Sequence, residues 1–213
     1  MPNRGKIGGL YLILDQQYTN RDIVSIAIEA AEAGVDVIQY REKILHGKGA
    51  LSVAKRLREV TEEAGVMFIV NDDPALALGA GADGAHLGQE DIPVDVARRI
   101  LGRNKVIGIS THSIEEALDA GRLDVDYIGF GPVFHSVTKR VTSPHGLEGV
   151  RRIRGSVSMP VIVIGGIDQG NVSAVIGAGA DGAAVISAVL SAPDVKKAVS
   201  ELKERIGSGR NSL

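Results

Sequence analysis

A seven-residue segment, Gly-Ala-Gly-Ala-Asp-Gly-Ala, occurs at Gly79 to Ala85 and again at Gly177 to Ala183, each time between a helix-like stretch and a short apolar run. Looser copies stand at Glu32 to Val37 and at Arg122 to Tyr127. Small residues that end a helix, then an Asp, then a strand, describe a chain assembled from like α-to-β units. The repetition also orients the molecule. All four junction residues, Asp36, Asp83, Asp126 and Asp181, fall where strands begin, so a structural role is expected of them.

Short apolar runs recur at Leu10 to Leu14, Val35 to Ile38, Met67 to Val70, Gly84 to Leu87, Val106 to Ile109, Tyr127 to Phe130, Val161 to Ile164 and Ala183 to Ile186. Their mean spacing of about 25 residues is that of one strand plus one helix in an eightfold barrel. Between them lie helical periods, such as Ile23, Ile26, Ala27, Ala30 and Leu51, Ala54, Leu57, Val60. Strands buried on both faces and joined by helices demand a parallel sheet. The expected fold is therefore α/β, a single (β/α)8 TIM barrel over residues 1–213, with about 1–6 and 207–213 frayed; an open doubly wound sheet is the alternative. The fourth run, Gly84-Ala85-His86-Leu87, has little bulk and is read mainly from its junction.

With 213 residues, 44% of them hydrophobic, the chain can bury one substantial core. Basic and acidic residues, 24 and 26, are interspersed, and aromatics make up only 3%, so neither a nucleic-acid groove nor a membrane surface is expected. No cysteine is present, which removes disulfide and thiolate chemistry. The opening residues lead into a run too short and broken for a signal sequence or a membrane span, and a cytoplasmic location is expected.

In a barrel of this kind the chemistry lies at the ends of the strands. Reading off those ends gives Asp15, Gln39 to Lys43, Asn71-Asp72, Gln89 to Asp91, Ser110 to His112, the loop from Pro132 to Gly146, Gly165-Gly166 and Ser187. Asp72 and Asp91 follow neighbouring strands about 5 Å apart, close enough to share a hard cation such as Mg²⁺. The alternative is that either caps the helix after it, Asp91-Ile92-Pro93 being a plausible cap. Arg41 and Lys43, with Lys139 and Arg140 in the sixth loop, bring positive charge suited to phosphate oxygens. Gly165-Gly166 and the Ile186-Ser187 end of the eighth strand occupy the positions that often form a phosphate site. His46 and His145 read as loop surface, His86 lies inside a strand, and no histidine pair has zinc spacing.

Over nearly its whole length the chain resembles the thiamine phosphate synthase family. The segments that carry the resemblance are Tyr11-Leu12-Ile13, Gln39-Tyr40-Arg41-Glu42-Lys43, Val70-Asn71-Asp72, His86 to Asp91, Gly108 to Ser113, Asp126 to Phe134, Ile164 to Ile167 and Val185-Ile186-Ser187. The resemblance implies that hydroxymethylpyrimidine diphosphate is joined to a thiazole phosphate with release of diphosphate. Carried over by motif, Gln39, Tyr40, Arg41, Glu42, Lys43 and Asn71 bind the pyrimidine diphosphate, and Asp72 and Asp91 ligate Mg²⁺. Ser110 and Lys139 meet the same substrate, and Arg41, Lys43, Ser110 and Lys139 form the expected catalytic set. Ser136, Val137 and Thr138, with Gly166, Ile186 and Ser187, hold the thiazole phosphate. Two departures stand out: His135-Ser136 replaces the usual Pro-Thr, and Tyr40 stands where the family usually has Leu.

A thiazole tautomerase-like isomerase and a non-catalytic sensor of thiamine precursors are the rival readings. Retention of Asn71-Asp72, Asp91, Gln39 to Lys43 and Lys139 argues against both. The partners expected are small molecules, and the exposed helical faces leave a homo-oligomer open.

Overall fold

The computed structural model describes residues 7–135 and 143–210. Eight strands, β1 (Gly9–Leu14), β2 (Val37–Tyr40), β3 (Met67–Asn71), β4 (Gly84–Leu87), β5 (Val106–Thr111), β6 (Tyr127–Phe130), β7 (Val161–Ile164) and β8 (Gly182–Val185), form a closed barrel in chain order. Every pairing is parallel, and the ring closes where Gly9 to Leu12 pair with Gly182 to Val185. That closure removes the open doubly wound alternative. The helices are α1 (Ile23–Glu32), α2 (Lys48–Ala64), α3 (Pro74–Ala80), α4 (Val94–Leu101), α5 (Ile114–Ala120), α6 (Gly146–Ser156), α7 (Val172–Gly177), a four-residue α8 (Ser187–Leu190) and α9 (Val195–Arg210).

Side-chain alternation along the strands splits the core in two. In β1, Leu10, Leu12 and Leu14 face outward and pack with helix residues such as Ile26, Leu57 and Val199. Tyr11 and Ile13 face the barrel axis beside Val37, Ile69, Val106, Tyr127 and Ile162. The outer layer is aliphatic and aromatic with the hydroxyl of Tyr40 among its buried members, whereas the smaller inner one carries the hydroxyls of Tyr11 and Tyr127. That difference sets up the site.

The junction aspartates hold the strand starts. Asp36 accepts the backbone N–H of Leu10 at 2.7 Å, Asp83 that of Phe68 at 2.8 Å, Asp126 that of Ile107 at 2.8 Å and Asp181 that of Val161 at 2.9 Å. Each carboxylate stands before an even-numbered strand and reaches back to the odd-numbered strand before it. Each also meets a cation: Lys203 at 2.6 Å, Arg58 at 2.9 Å, Arg98 at 3.1 Å and Arg154 at 3.9 Å respectively. The unit that repeats is thus two strands and two helices, used four times.

Several boundaries differ from the sequence reading. β2 starts two residues later than expected, because the Val35 N–H closes α1 on Ala30 and the Asp36 N–H bonds Leu10. Gln39 and Tyr40 are consequently strand residues, not loop residues. β8 ends at Val185, since Ile186 caps α8, and β5 runs on through Ser110 and Thr111. At the end of the chain, residues 207–210 are not frayed: α9 continues to Arg210, with Gly209 buried on α7 so closely that a Cβ there would lie 2.6 Å from the Ser173 carbonyl oxygen.

Candidate active site at the barrel mouth

A cavity of about 650 Å³ opens at the ends of the strands, lined by residues from all eight of them or the loops that follow. Strand order puts the β2–β4 edge across the mouth from β6–β8.

On the first edge stand the charged groups. Arg41 lines the cavity and is held by the Asp15 carboxylate, which is 1% exposed. Asp15 also accepts the Gln17 N–H at 2.9 Å, so the turn after β1 fixes the carboxylate that fixes Arg41. Lys43, more exposed, places its ammonium 2.5 Å from an Asp72 oxygen. Asp72 has φ 64°, a left-handed backbone that a residue other than glycine seldom adopts, and its N–H bonds the His86 carbonyl at 2.8 Å.

Neither Asp72 nor Asp91 caps the helix that follows it. The cap of α3 is Asp73, whose carboxylate accepts the Leu76 N–H at 2.8 Å, which leaves Asp72 free for the mouth. At α4 the cap position is Pro93 and no side chain bonds the helix end; Asp91 instead accepts the Gly88 N–H at 2.6 Å within its own turn. Burial, together with the facing Asp72 carboxylate, holds the Asp91 carboxyl above its ordinary value, against the Gly88 bond and Lys43. Two anionic groups facing each other with one lysine between them are arranged to receive further positive charge.

On the far edge, Gly165 (φ 104°) and Gly166 (φ 64°) turn the chain after β7. Their need for glycine comes first from protein backbone: a Cβ on Gly165 would lie 2.6 Å from Pro132 Cβ, and one on Gly166 would lie 2.3 Å from the His135 oxygen. The Val133 and Phe134 N–H groups bond the Ile164 and Gly165 carbonyls at 2.9 Å, tying the start of the sixth loop to β7. Ile186 and Ser187 line the cavity where α8 begins.

The floor is polar and buried. Gln39 Nε2 donates to the Tyr11 hydroxyl at 2.9 Å, the Tyr11 and Tyr127 hydroxyls are 2.8 Å apart, Tyr127 is 3.0 Å from His86 Nδ1, and His86 Nε2 is 2.9 Å from Ser110 Oγ. Burial pushes His86 down to about 4, although the Asp72 carboxylate opposes it, and raises both tyrosines. All five groups are therefore uncharged near neutral pH.

Of the residues expected at the site, Gln39, Arg41, Asn71, Ser110, Gly166, Ile186 and Ser187 line the cavity, and Lys43, Asp72 and Asp91 cluster at its edge. Tyr40 and Glu42 are not brought to it. The Tyr40 ring faces the outer core and its hydroxyl donates to Glu42 at 2.7 Å; Glu42 also accepts the N–H groups of Ile44 and Leu45 at 2.6 and 2.8 Å. These bonds hold the Glu42 carboxyl low despite its burial, and the pair braces the loop that carries Lys43. Ser136, Val137, Thr138, Lys139 and Arg140 lie outside the described residues. His145 is half-buried at the cap position of α6, where its ring packs 4.6 Å from that of Phe130. Asp15 stands at the rim as its place after β1 predicts, whereas Tyr11, Tyr127 and His86 are site residues that the sequence reading does not assign. Mid-strand glycines were the available signal, since Gly108 and Gly129 exist to admit Tyr127 and His86.

The model of the family described as thiamine monophosphate synthase matches residues 10–189. The thiamine-phosphate synthase of Chloroflexus aurantiacus is 46% identical, over 91% of this chain and 90% of its own. That of Methanoculleus marisnigri is 44% identical, over 94% and 96%. Among solved structures, the thiamine phosphate pyrophosphorylase of Pyrococcus furiosus superposes with a TM-score of 0.88 at 40% identity, over 95% of this chain and 96% of its own. With a closed barrel, a mouth lined as described and a match across nearly its whole length, this chain belongs to the thiamine monophosphate synthase family.

Proposed function

We propose that the protein is a thiamine-phosphate synthase, a transferase that joins 4-amino-2-methyl-5-(diphosphooxymethyl)pyrimidine to 4-methyl-5-(2-phosphoethyl)thiazole and releases diphosphate, with CO2 lost as well where the thiazole is its carboxylate. The observation that carries the reading is the division of the mouth: Arg41, Lys43, Asp72 and Asp91 on one edge, the glycine turn and the start of α8 on the other. One edge suits a diphosphate, the other a single phosphate, and the buried polar floor lies between them.

The residues fit Mg²⁺. Asp72 and Asp91 offer hard oxygen donors, neither caps a helix, and Lys43 already rests against one of them. When bound there, Mg²⁺ supplies positive charge against the leaving diphosphate. Arg41 and Lys43 contribute the same sign of charge from β2, with Lys139 expected to add to it from the sixth loop. Asp15 keeps Arg41 aimed at the cavity in advance, so little reorganisation is needed.

Chemically, the bond from the pyrimidine methylene to the diphosphate oxygen breaks with the electron pair leaving on oxygen. The thiazole nitrogen then forms the new C–N bond with its own lone pair. The nitrogen carries no proton to be removed, so the site requires no general base, and the neutral floor accords with that. A cationic pyrimidine species stabilised by its 4-amino group makes the substitution dissociative, so electron-withdrawing pyrimidine substituents are expected to slow it sharply.

The test is release of diphosphate by the purified protein, with thiamine phosphate followed separately. Both are expected only with pyrimidine diphosphate, thiazole phosphate and Mg²⁺ together. Binding of the thiazole phosphate without any product would favour the isomerase or sensor and overturn the synthase.

A further inference from the structure

The five groups on the floor form an unbranched path, and with Gln39 donating from Nε2 its hydrogens run in one direction. The Tyr11 oxygen accepts from Gln39 Nε2, and its own hydrogen has the Tyr127 oxygen as its partner. The Tyr127 hydrogen must then go to His86 Nδ1. A neutral imidazole that accepts at Nδ1 carries its proton on Nε2, which donates to Ser110 Oγ. The Ser110 hydrogen is left for the cavity, as is the Gln39 carbonyl oxygen, and both residues line it. Among the described residues, no side-chain atom on this path is buried without a partner.

The alternative assignment is a complete reversal. With the Gln39 carbonyl turned to Tyr11, each hydroxyl and the imidazole would donate the other way, and Ser110 would present only lone pairs. A mixed arrangement makes one tyrosine hydroxyl accept from both of its neighbours and turns its own hydrogen off the path, which leaves that buried hydrogen without a partner among these five groups. The two ends of the floor are therefore not independent.

The packing around the path is built for it. A Cβ on Gly108 would lie 2.1 Å from the Tyr127 ring and 2.6 Å from His86 Nδ1, and one on Gly129 would lie 3.0 Å from the His86 ring. These two strand positions are emptied of side chain so that the rings can meet.

We infer that Tyr11, Tyr127 and His86 are positioning residues forming a one-directional relay, which makes Gln39 present an acceptor and Ser110 a donor, and so selects a 4-aminopyrimidine over its 4-oxo counterpart. The substrate half of this inference rests on the proposed function. An amidine edge offers an N–H donor beside a ring-nitrogen acceptor, complementary to the relay as it stands. A 4-oxo ring presents a carbonyl acceptor beside a ring N–H, which fits only the reversed relay.

Two measurements test this. By ¹⁵N NMR, His86 in the ligand-free protein is expected as the Nε2–H tautomer; the Nδ1–H tautomer would overturn the relay whatever the substrate. By calorimetry with Mg²⁺ and no thiazole, the 4-amino pyrimidine diphosphate should bind about 100-fold more tightly than the 4-oxo analogue. In Tyr11→Phe and Tyr127→Phe that preference should drop to about tenfold or less, as the ends become free to reorient separately. An unchanged preference in both variants would reduce the relay to a structural feature. Failure of both pyrimidines to bind would sink the proposed substrate and leave the NMR result to judge the relay.

Discussion

His86 shows how one side chain couples the site to stability. Its pKa is about 4 when folded against an ordinary 6.5, the main cause being burial. Between these values the unfolded chain binds the proton and the folded protein does not, so stability is lost as pH falls from about 6.5 toward 4. A shift of this size corresponds to at most about 3 kcal/mol. Replacing His86 with Gln removes the titration, and the drop in melting temperature between pH 6.5 and pH 4.5 should be smaller in the variant than in the parent. Equal drops would mean that other groups carry the acid sensitivity. The residue scale is also where the sequence was hardest to read. Asn71-Asp72 and Arg41 stand at strand ends, where position alone points to chemistry. His86 and Tyr127 sit within strands, and an inward polar side chain there is indistinguishable from a core residue until its neighbours across the barrel are known. Tyr40 and Glu42 failed in the opposite sense, because a contiguous motif alternates faces along a strand and only some of its members can look into the barrel.

At the level of elements, the junction aspartates were legible because they repeat in the sequence, and the bonds they make repeat too. What no spacing could supply was the partner: Phe68 for Asp83 and Ile107 for Asp126 depend on which strands become neighbours, and the cations Arg58 and Arg98 depend on helix rotation. The β2 boundary slipped by two residues for the same reason, since Val35 and Asp36 are apolar-then-acidic in sequence but spend their N–H groups on the junction. An element held by such a carboxylate should be sensitive to its loss. Asp83→Ala takes the acceptor from the Phe68 N–H and the nearer carboxylate from Arg58, which keeps Glu62 at 3.5 Å, at a cost of about 2–4 kcal/mol. Asp124→Ala, whose carboxylate is 75% exposed, should cost under about 0.5 kcal/mol. Denaturant unfolding of the two variants checks the contrast, and similar midpoints would contradict the clamp.

For the molecule as a whole, closure of β8 onto β1 means that no strand can leave without breaking two ladders, so groups at the mouth are coupled to global unfolding. The fold was readable because eight runs and their spacing admit few closed solutions, and even the slight fourth run is held between β3 and β5. Coupling of mouth to barrel implies that ligands held there raise the melting temperature. In the free protein Lys43 lies against Asp72, and Asp91 is held above its ordinary pKa by burial and by that carboxylate. Mg²⁺ alone must compete with the lysine, and diphosphate alone must approach two carboxylates, so each by itself should shift melting little. Together each offsets the charge that disfavours the other, and at about 100 times the joint dissociation constant the gain is roughly 2.7 kcal/mol, or about 5–10 °C for a chain of this size. Asp91→Asn should behave in two ways at once. Without ligands it relieves the facing charges at neutral pH and melts at or slightly above the parent temperature, the difference shrinking as pH falls and Asp91 takes up its proton. With Mg²⁺ and diphosphate it should lose most of the joint increment. A variant that keeps the full increment would remove Asp91 from the cation site, whatever its effect on the free protein.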